Sequence, residues 1–335
     1  MSRVIGGEFK ISAISDSVIT EKRNLFSTGR SAFSAILDNL IINKETINKV
    51  LIPDYLCSSI TQVLIDKKIH YSFYKINENL LPDEYSLLEN FKEPKIVLLI
   101  IYFGLASVKE VAEKIKKISP DSIIIVDDVQ NFYGTEYKSF SDYRFTSYRK
   151  WFAVPDGADV YSCKGEVKPS QKKNNFAQYK FAGNILKNYD NWIDDNLCLE
   201  LLNKGETILD SEYDVCCSDI SRSLIKNIPF AEIARKRKQN AAYLHKELLK
   251  LGIKHLYNEI SVPLFIPVFL ENRTEIRKAM FANNIFTPVH WPYESQILNG
   301  NDKNKLYDTE LSLICDQRYS EEDMQLQIDI LMRFV

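Results

Sequence analysis

A lysine at position 150 stands in the stretch FTSYRKWFAVPDGADV (145–160), between aromatic residues and a Pro-Asp-Gly turn. An amine in such a setting is either a solvated surface charge or a nucleophile held in a cleft, where desolvation lowers its pKa and frees its lone pair. Two aspartates, Asp127 and Asp128, close the run DSIIIVDD (121–128). A carboxylate at the carboxyl end of a buried strand falls where open α/β sheets bind ligands. A third feature is Gly29, which opens the helical pattern GRSAFSAILDNLI (29–41). A helix N-terminus behind a glycine can take an anion.

The elements that would position these groups alternate between strand and helix. KVLIP (49–53) and HYSFYKI (70–76) read as strands. IVLLIIYFG (96–104) is a continuous apolar run, which suits a central strand buried on both faces. SVKEVAEKIKKI (107–118) follows as an amphipathic helix, with Ser107 and Glu110 in capping-box spacing. This rhythm predicts an α/β layer with a largely parallel sheet. After an irregular stretch over 164–225, the style changes. A long helix over about 229–251, a strand at 262–270, a helix over about 273–283, a short strand FTPV and a last helix from Ser320 predict a smaller α+β unit. The expected division is 1–225 for the large unit and 226–335 for the small one.

Bulk properties narrow the function classes. The chain has 335 residues, 45% hydrophobic and 26% charged, as in an ordinary soluble globular protein. A formal net charge of -2 argues against nucleic acid as a partner. The basic cluster RKRKQN (235–240) sits in a helical pattern and reads as one solvated face. The six cysteines contain no C-x-x-C pair and no zinc spacing, so no metal is expected, and adjacent Cys216 and Cys217 read as packing residues. The longest apolar run is too short to span a bilayer, and the first residues lack an apolar core, so the expected compartment is the cytoplasm.

Taken in order, GGEF, FSTGRSAF, VLIPDYLCSS, YFG, IIIVDDVQNFY, SYRKWFAVPDGA, RKRKQN, PVHWP and CDQRYSEEDM resemble the DegT/DnrJ/EryC1/StrS aminotransferase family over nearly the whole chain. The resemblance implies the fold type I architecture of pyridoxal 5'-phosphate (PLP) enzymes: a large domain with a mostly parallel central sheet flanked by helices, then the smaller C-terminal α+β domain. It implies PLP as cofactor and Lys150, seven residues before Gly157, as the lysine that carries it. The family pattern of an acid followed three positions on by glutamine selects Asp127 with Gln130 for the pyridine nitrogen, with Asp128 as the competitor. Gly29, Arg30 and Ser31 match the family's phosphate turn, and the resemblance makes Ser147 a second candidate for the phosphate. Tyr55 or Cys57 would cover the ring, with Tyr102 or Phe103 approaching from the next strand. His290 and Trp291 match the family's PVHWP segment. Arg318 is a candidate for the carboxylate of an amino donor.

The resemblance further implies amino transfer, from glutamate to the keto group of a nucleotide-linked sugar, for surface polysaccharide, in a homodimer. The alternatives are another PLP reaction, elimination or dehydration, or a non-catalytic binding role. Family members that eliminate replace the lysine by histidine, whereas Lys150 is retained. The chain departs from the family pattern at Phe145 and Ser147, where serine and histidine are usual, and at Pro155-Asp156-Gly157-Ala158. It shows no clear Asn-x-Arg segment between 214 and 232. These departures mark a divergent branch.

Overall fold

The computed structural model describes residues 4–11, 24–43, 47–91, 95–189, 195–295 and 303–334. Elements run in the order β1 (Ile5–Gly6), α1 (Gly29–Ile42), β2 (Lys49–Pro53), α2 (Ser58–Asp66), β3 (His70–Tyr74), α3 (Glu84–Asn90), β4 (Ile96–Ile100), α4 (Lys109–Ile118), β5 (Ile123–Asp127), β6 (Tyr143–Phe145) and β7 (Val160–Ser162). Then come α5 (Ala177–Leu186), α6 (Asp195–Ser211), α7 (Asp219–Ile225), α8 (Phe230–Lys250), β8 (Ile266–Phe269), α9 (Arg273–Ala282), β9 (Ile285–Phe286), α10 (Leu306–Thr309), β10 (Glu310–Leu313) and α11 (Glu321–Leu331). The termini of the two expected units, residues 1 and 335, lie outside the described residues.

Six strands form one sheet in the order β3-β2-β4-β5-β6-β7. All neighbours are parallel except β6 and β7. The central strands β4 and β5 are apolar because helices cover both faces; every residue of β4 is buried. A parallel sheet puts all its carboxyl ends on one edge, so the loops after β2, β4 and β5 open on the same side as the loop after β6. This mostly parallel sheet with flanking helices is the architecture the sequence implies.

β4 stops at Ile100, earlier than the apolar run suggests. The chain turns there through a 3-10 segment, Tyr102–Gly104, with Phe103 and Gly104 at φ 55° and 75°. A Cβ on Gly104 would lie 3.2 Å from the Gln130 carbonyl oxygen and 3.0 Å from Asn131 Oδ1, so glycine is required twice over. The predicted capping box of Ser107 and Glu110 does not form. α4 starts at Lys109 with Val108 as N-cap, because Val108 is drawn wholly into the core; Ser107 Oγ accepts from Lys109 N–H and donates to Glu136.

In the second half, β8 and β10 pair antiparallel and pack with α8, α9 and α11. β1 pairs in parallel with β9, so the first described residues join this later layer. Met324, Ile328 and Leu331 of α11 are buried, as their helical spacing implies. The basic cluster of α8 is not one solvated face. Arg237 is 1% exposed, stacks 4.7 Å from the Trp151 ring centre and donates to the carbonyls of Pro263 and Leu264; Asn240 is also buried. A cation can be buried here because a π face and two carbonyls replace its water.

Candidate active site

Three sheet-edge segments converge on one cavity of about 130 Å³. Asp127 ends β5. Lys150 ends the short 3-10 turn Tyr148–Lys150 that follows β6, and Ser147 precedes that turn. The start of α1 supplies Gly29 and Arg30. Cys57, Gln130, His290 and Trp291 complete the wall. The structure therefore brings together most of the residues singled out in the sequence, from positions 29 to 291.

Lys150 is exposed to water through the cavity, although the protein packed around it removes part of its hydration. Desolvation lowers its pKa, and the guanidinium of Arg149 lowers it further. Among the described residues no carboxylate forms an ion pair with Lys150. Arg149 points elsewhere: its guanidinium bonds Glu206 at 2.8 Å. Lys180, only 3% exposed at its side chain, shares Glu206 and also bonds Glu8 at 2.9 Å. Sequence periodicity carries no signal for this network, since Glu8 and Lys180 are far apart in the chain.

The two aspartates face opposite ways. Asp127 Oδ1 accepts from Val129 N–H at 3.0 Å, and its other oxygen has no partner among the described residues. Burial pushes its pKa up to about 7, and the nearby Asp128 charge adds to the rise. Asp128 is wholly buried against Arg144, with Nε to Oδ2 at 3.0 Å; burial still raises it to about 6. Arg144 also pairs with Asp159. The alternation of a strand end thus sends one acid to the cavity and the other to a structural arginine.

Three sequence expectations need correction. Ser31 does not line the cavity. Its hydroxyl accepts from Thr28 N–H at 2.9 Å and donates to Thr28 O, closing a reciprocal capping box in which Thr28 Oγ1 accepts from Ser31 N–H. Tyr55 does not face the cavity either. It is fully buried among Tyr102, Trp291 and Tyr307, with ring centres 5.6, 5.3 and 4.9 Å away, because the loop after β2 turns this side chain inward. Cys57 is the member of that pair at the cavity wall. Arg318 has no open fork: Asp316 occupies Nε at 2.9 Å and Nη2 at 2.7 Å, and Nη1 donates to the carbonyls of Gly7 and Glu8.

Arg149, Lys150 and His290 also line a second, larger cavity of about 470 Å³. Its other charged residues are Lys180, Arg237, Arg277 and Arg318 against Glu8, Glu206 and Asp316, a cationic excess. Among the described residues no cluster of three His, Cys, Asp or Glu could hold a metal ion, and no helix is long and apolar enough to cross a membrane.

No protein-family model matches this sequence, and no curated protein matches it. Solved structures do. Helicobacter pylori PseC, an aminotransferase involved in the biosynthesis of pseudoaminic acid, superposes with a TM-score of 0.70 at 15% identity, covering 99% of both chains. The fold is that of the PLP-dependent aminotransferases. A DegT DnrJ EryC1 StrS aminotransferase from Brucella abortus gives 0.63 at 16% identity, over 94% of this chain and 86% of its own. NtdA from Bacillus subtilis, solved with bound cofactor PMP, gives 0.62 at 16% identity, over 92% and 72%. The aminotransferase fold accounts for the placement of the cavity, beyond the carboxyl ends of β2, β4 and β5 and under the small layer.

Proposed function

We propose that the chain is a PLP-dependent aminotransferase acting on a keto sugar. The observation that carries this reading is the pairing, in one cavity, of an amine with no carboxylate partner and a carboxylate with an open oxygen, Lys150 and Asp127. The donor set fits the cofactor. A neutral-capable amine suits an aldehyde, an acid with a raised pKa suits a pyridine N–H, and a helix start suits a phosphate.

PLP, when bound, supplies an electron sink for the carbon that carries the amino group. The protein's own residues do the rest. Gly29 and Arg30 offer first-turn N–H groups of α1, which have no intrahelical acceptor, and the Ser147 hydroxyl adds a donor. Asp127 sits to hold a proton on the pyridine nitrogen; opposite charge there draws its own pKa down again. Lys150, its pKa lowered by desolvation and by Arg149, holds the cofactor and then takes the α-proton of the donor and returns it as general base and acid. Cys57, His290 and Trp291 shield the site from water. Arg277, whose Nε donates to Thr287 O, lines the larger cavity with no ion-pair partner among the described residues and replaces Arg318 as the candidate for a glutamate carboxylate. The cationic excess of that cavity supports an anionic acceptor such as a nucleotide-linked sugar, for surface polysaccharide, by likeness to relatives that make sugars. We read the enzyme as a cytoplasmic homodimer on the same resemblance.

The test is direct. Purified protein mixed with PLP is followed in the visible range, reduced with borohydride and mapped. A coloured protein with its label on Lys150 supports the proposal. A colourless protein with no labelled lysine sinks it and turns the search to binding partners.

A further inference from the structure

Behind His290 lies a buried polar chain. Ser312 Oγ donates to Glu310 Oε1 at 2.5 Å, and His290 Nδ1 lies 2.8 Å from Ser312 Oγ. The His290 backbone N–H donates to Glu310 Oε2 at 2.7 Å, fixing the carboxylate against the segment it serves. Glu310 and Ser312 are both 0% exposed, at alternate positions of β10, so both point into the same interior face. Nε2 of His290 has no partner among the described residues, and His290 lines both cavities beside Lys150.

We infer that His290, Ser312 and Glu310 form a proton relay, in which His290 takes a proton from the cavity at Nε2 and passes its Nδ1 proton inward to Glu310. The inference rests on reading the cavity as an amino-transfer site, though the relay itself can be observed without cofactor. The balance is simple. With Glu310 ionised, Ser312 spends its one proton on the carboxylate and can only accept from His290, so Nδ1 carries the hydrogen and Nε2 the lone pair. When Nε2 gains a proton, the Nδ1–H bond breaks, Ser312 Oγ receives that proton, and its own goes to Glu310 Oε1. One proton enters, Glu310 becomes a carboxylic acid, and the ring ends neutral with Nε2 protonated.

The surroundings favour this path over an imidazolium. Burial and the Lys150 charge lower the pKa of His290 to about 3. Phe103, Phe265 and Trp291 rings flank the imidazole at 5.3, 5.1 and 5.7 Å, offering it no counter-ion. At the far end burial raises Glu310 to about 7, against the lowering effect of Arg273 and Arg277 on α9. Tyr55, fully buried with an unpartnered hydroxyl, also faces that carboxylate electrostatically. The relay thus stores a proton in a group that titrates near neutrality, while the exposed end stays uncharged. That suits hydrogen-bonding a substrate hydroxyl or keto oxygen next to Lys150.

The test is nitrogen NMR of the full-length protein labelled at histidine; the chain has four histidines, so assignment by single substitution is practical. The expected result is a neutral His290 ring throughout, protonated at Nδ1 above the Glu310 transition and at Nε2 below it. Ser312→Ala should leave one fixed tautomer at all pH values, and Ser312→Thr should restore the exchange. In amino-transfer assays Ser312→Ala should lower kcat roughly a hundredfold with KM little changed. An imidazolium forming at His290 between pH 5 and 8 would overturn the relay, as would Nε2 protonation at every pH or an exchange that survives in Ser312→Ala. If Ser312→Ala does not fold, the wild-type tautomer titration decides alone. Failure of the relay leaves PLP labelling of Lys150 untouched, and failure of that labelling leaves the tautomer readout valid.

Discussion

The two sides of the β5 end differ in one respect that explains much of the molecule. On the packed side, Asp128 meets Arg144, and Arg144 also meets Asp159. On the cavity side, Asp127 and Lys150 stand without such partners. The same contrast separates Arg149, satisfied by Glu206, from the lysine next to it. Buried charge normally comes paired, because an isolated ion loses several kcal/mol of hydration. Lys150 is exposed and keeps part of its hydration, so the telling group is Asp127, a carboxylate raised to about 7 by burial with one open oxygen, whose missing partner is expected from a ligand. Paired charges hold the structure, and unpaired ones are reserved for chemistry.

The largest expected effect tests the unpaired amine. Lys150→Ala removes the one amine that, among the described residues, lies in the cavity with Asp127 to hold the cofactor and move the α-proton, so amino transfer should fall by at least ~10³-fold. Folding should be unharmed, since no ion pair is lost. A variant retaining more than a tenth of wild-type turnover would end the assignment.

The aspartate pair gives the sharpest contrast. Asp127→Asn should lower turnover by about 10²-fold, by taking away the negative charge that keeps the pyridine nitrogen protonated. It should also stabilise the cofactor-free protein above pH 7. The sign follows from the raised pKa. A carboxyl raised to about 7 when folded loses stability as pH rises from its unfolded value, because the unfolded state ionises first, and the loss is complete above about 7. Asp128→Asn should do the reverse: burial raises this carboxyl too, to about 6, but it is half of a buried ion pair, and losing it leaves Arg144 with only the partly exposed Asp159, at a cost of roughly 3 kcal/mol. Denaturant titration of both variants without PLP checks the pair. Equal stability changes of the same sign would erase the distinction between the two sides.

The charged network by the larger cavity should respond less. Glu206 is half-exposed, and Arg149 and Lys180 hold its pKa at about 2 against the opposing effect of burial. A lowered carboxylate stabilises the fold above its unfolded pKa and loses that contribution as pH falls through the folded one. Wild-type melting temperature should therefore drop between about pH 4.5 and pH 2. Glu206→Gln should flatten that drop and cost about 1–2 kcal/mol at neutrality, a value reduced by solvent screening. Thermal scans across that pH window measure both.

How much of this was legible beforehand depends on the range of the interaction. The sheet and most helices follow from local apolar patterning, so β2, β5 and α11 lie where the sequence puts them, while β3 and β4 start there and end sooner. Lys150, Asp127, Gly29 and His290 are marked by their place in motifs. The failures share a cause: they turn on partners distant in the chain. Arg237 looks solvated until Trp151 and the 263–264 carbonyls close over it. Tyr55 looks available until Tyr307 and Trp291 pack on it. Glu310 and Ser312 carry no sequence signal at all, because their meaning comes from His290 across the strand.

The smallest expected effect concerns Ser31, where motif and geometry part company. A serine at a phosphate turn should bind phosphate, yet this hydroxyl is spent on the α1 capping box. Ser31→Ala should therefore cost about 1 kcal/mol of stability, the usual value of a lost cap contact. PLP affinity should change less than about twofold, as the Gly29 and Arg30 N–H groups remain at the end of a helix still capped by Thr28. Ser147→Ala supplies the counterpart, since Ser147 is among the residues that line the cavity. It should weaken PLP binding several-fold with little loss of stability. Fluorescence titration with PLP, run beside denaturant curves on both variants, separates the two roles. If Ser31→Ala weakens PLP more than Ser147→Ala does, the cap is also the cradle, and the boundary between structural and reserved groups runs through α1 rather than beside it.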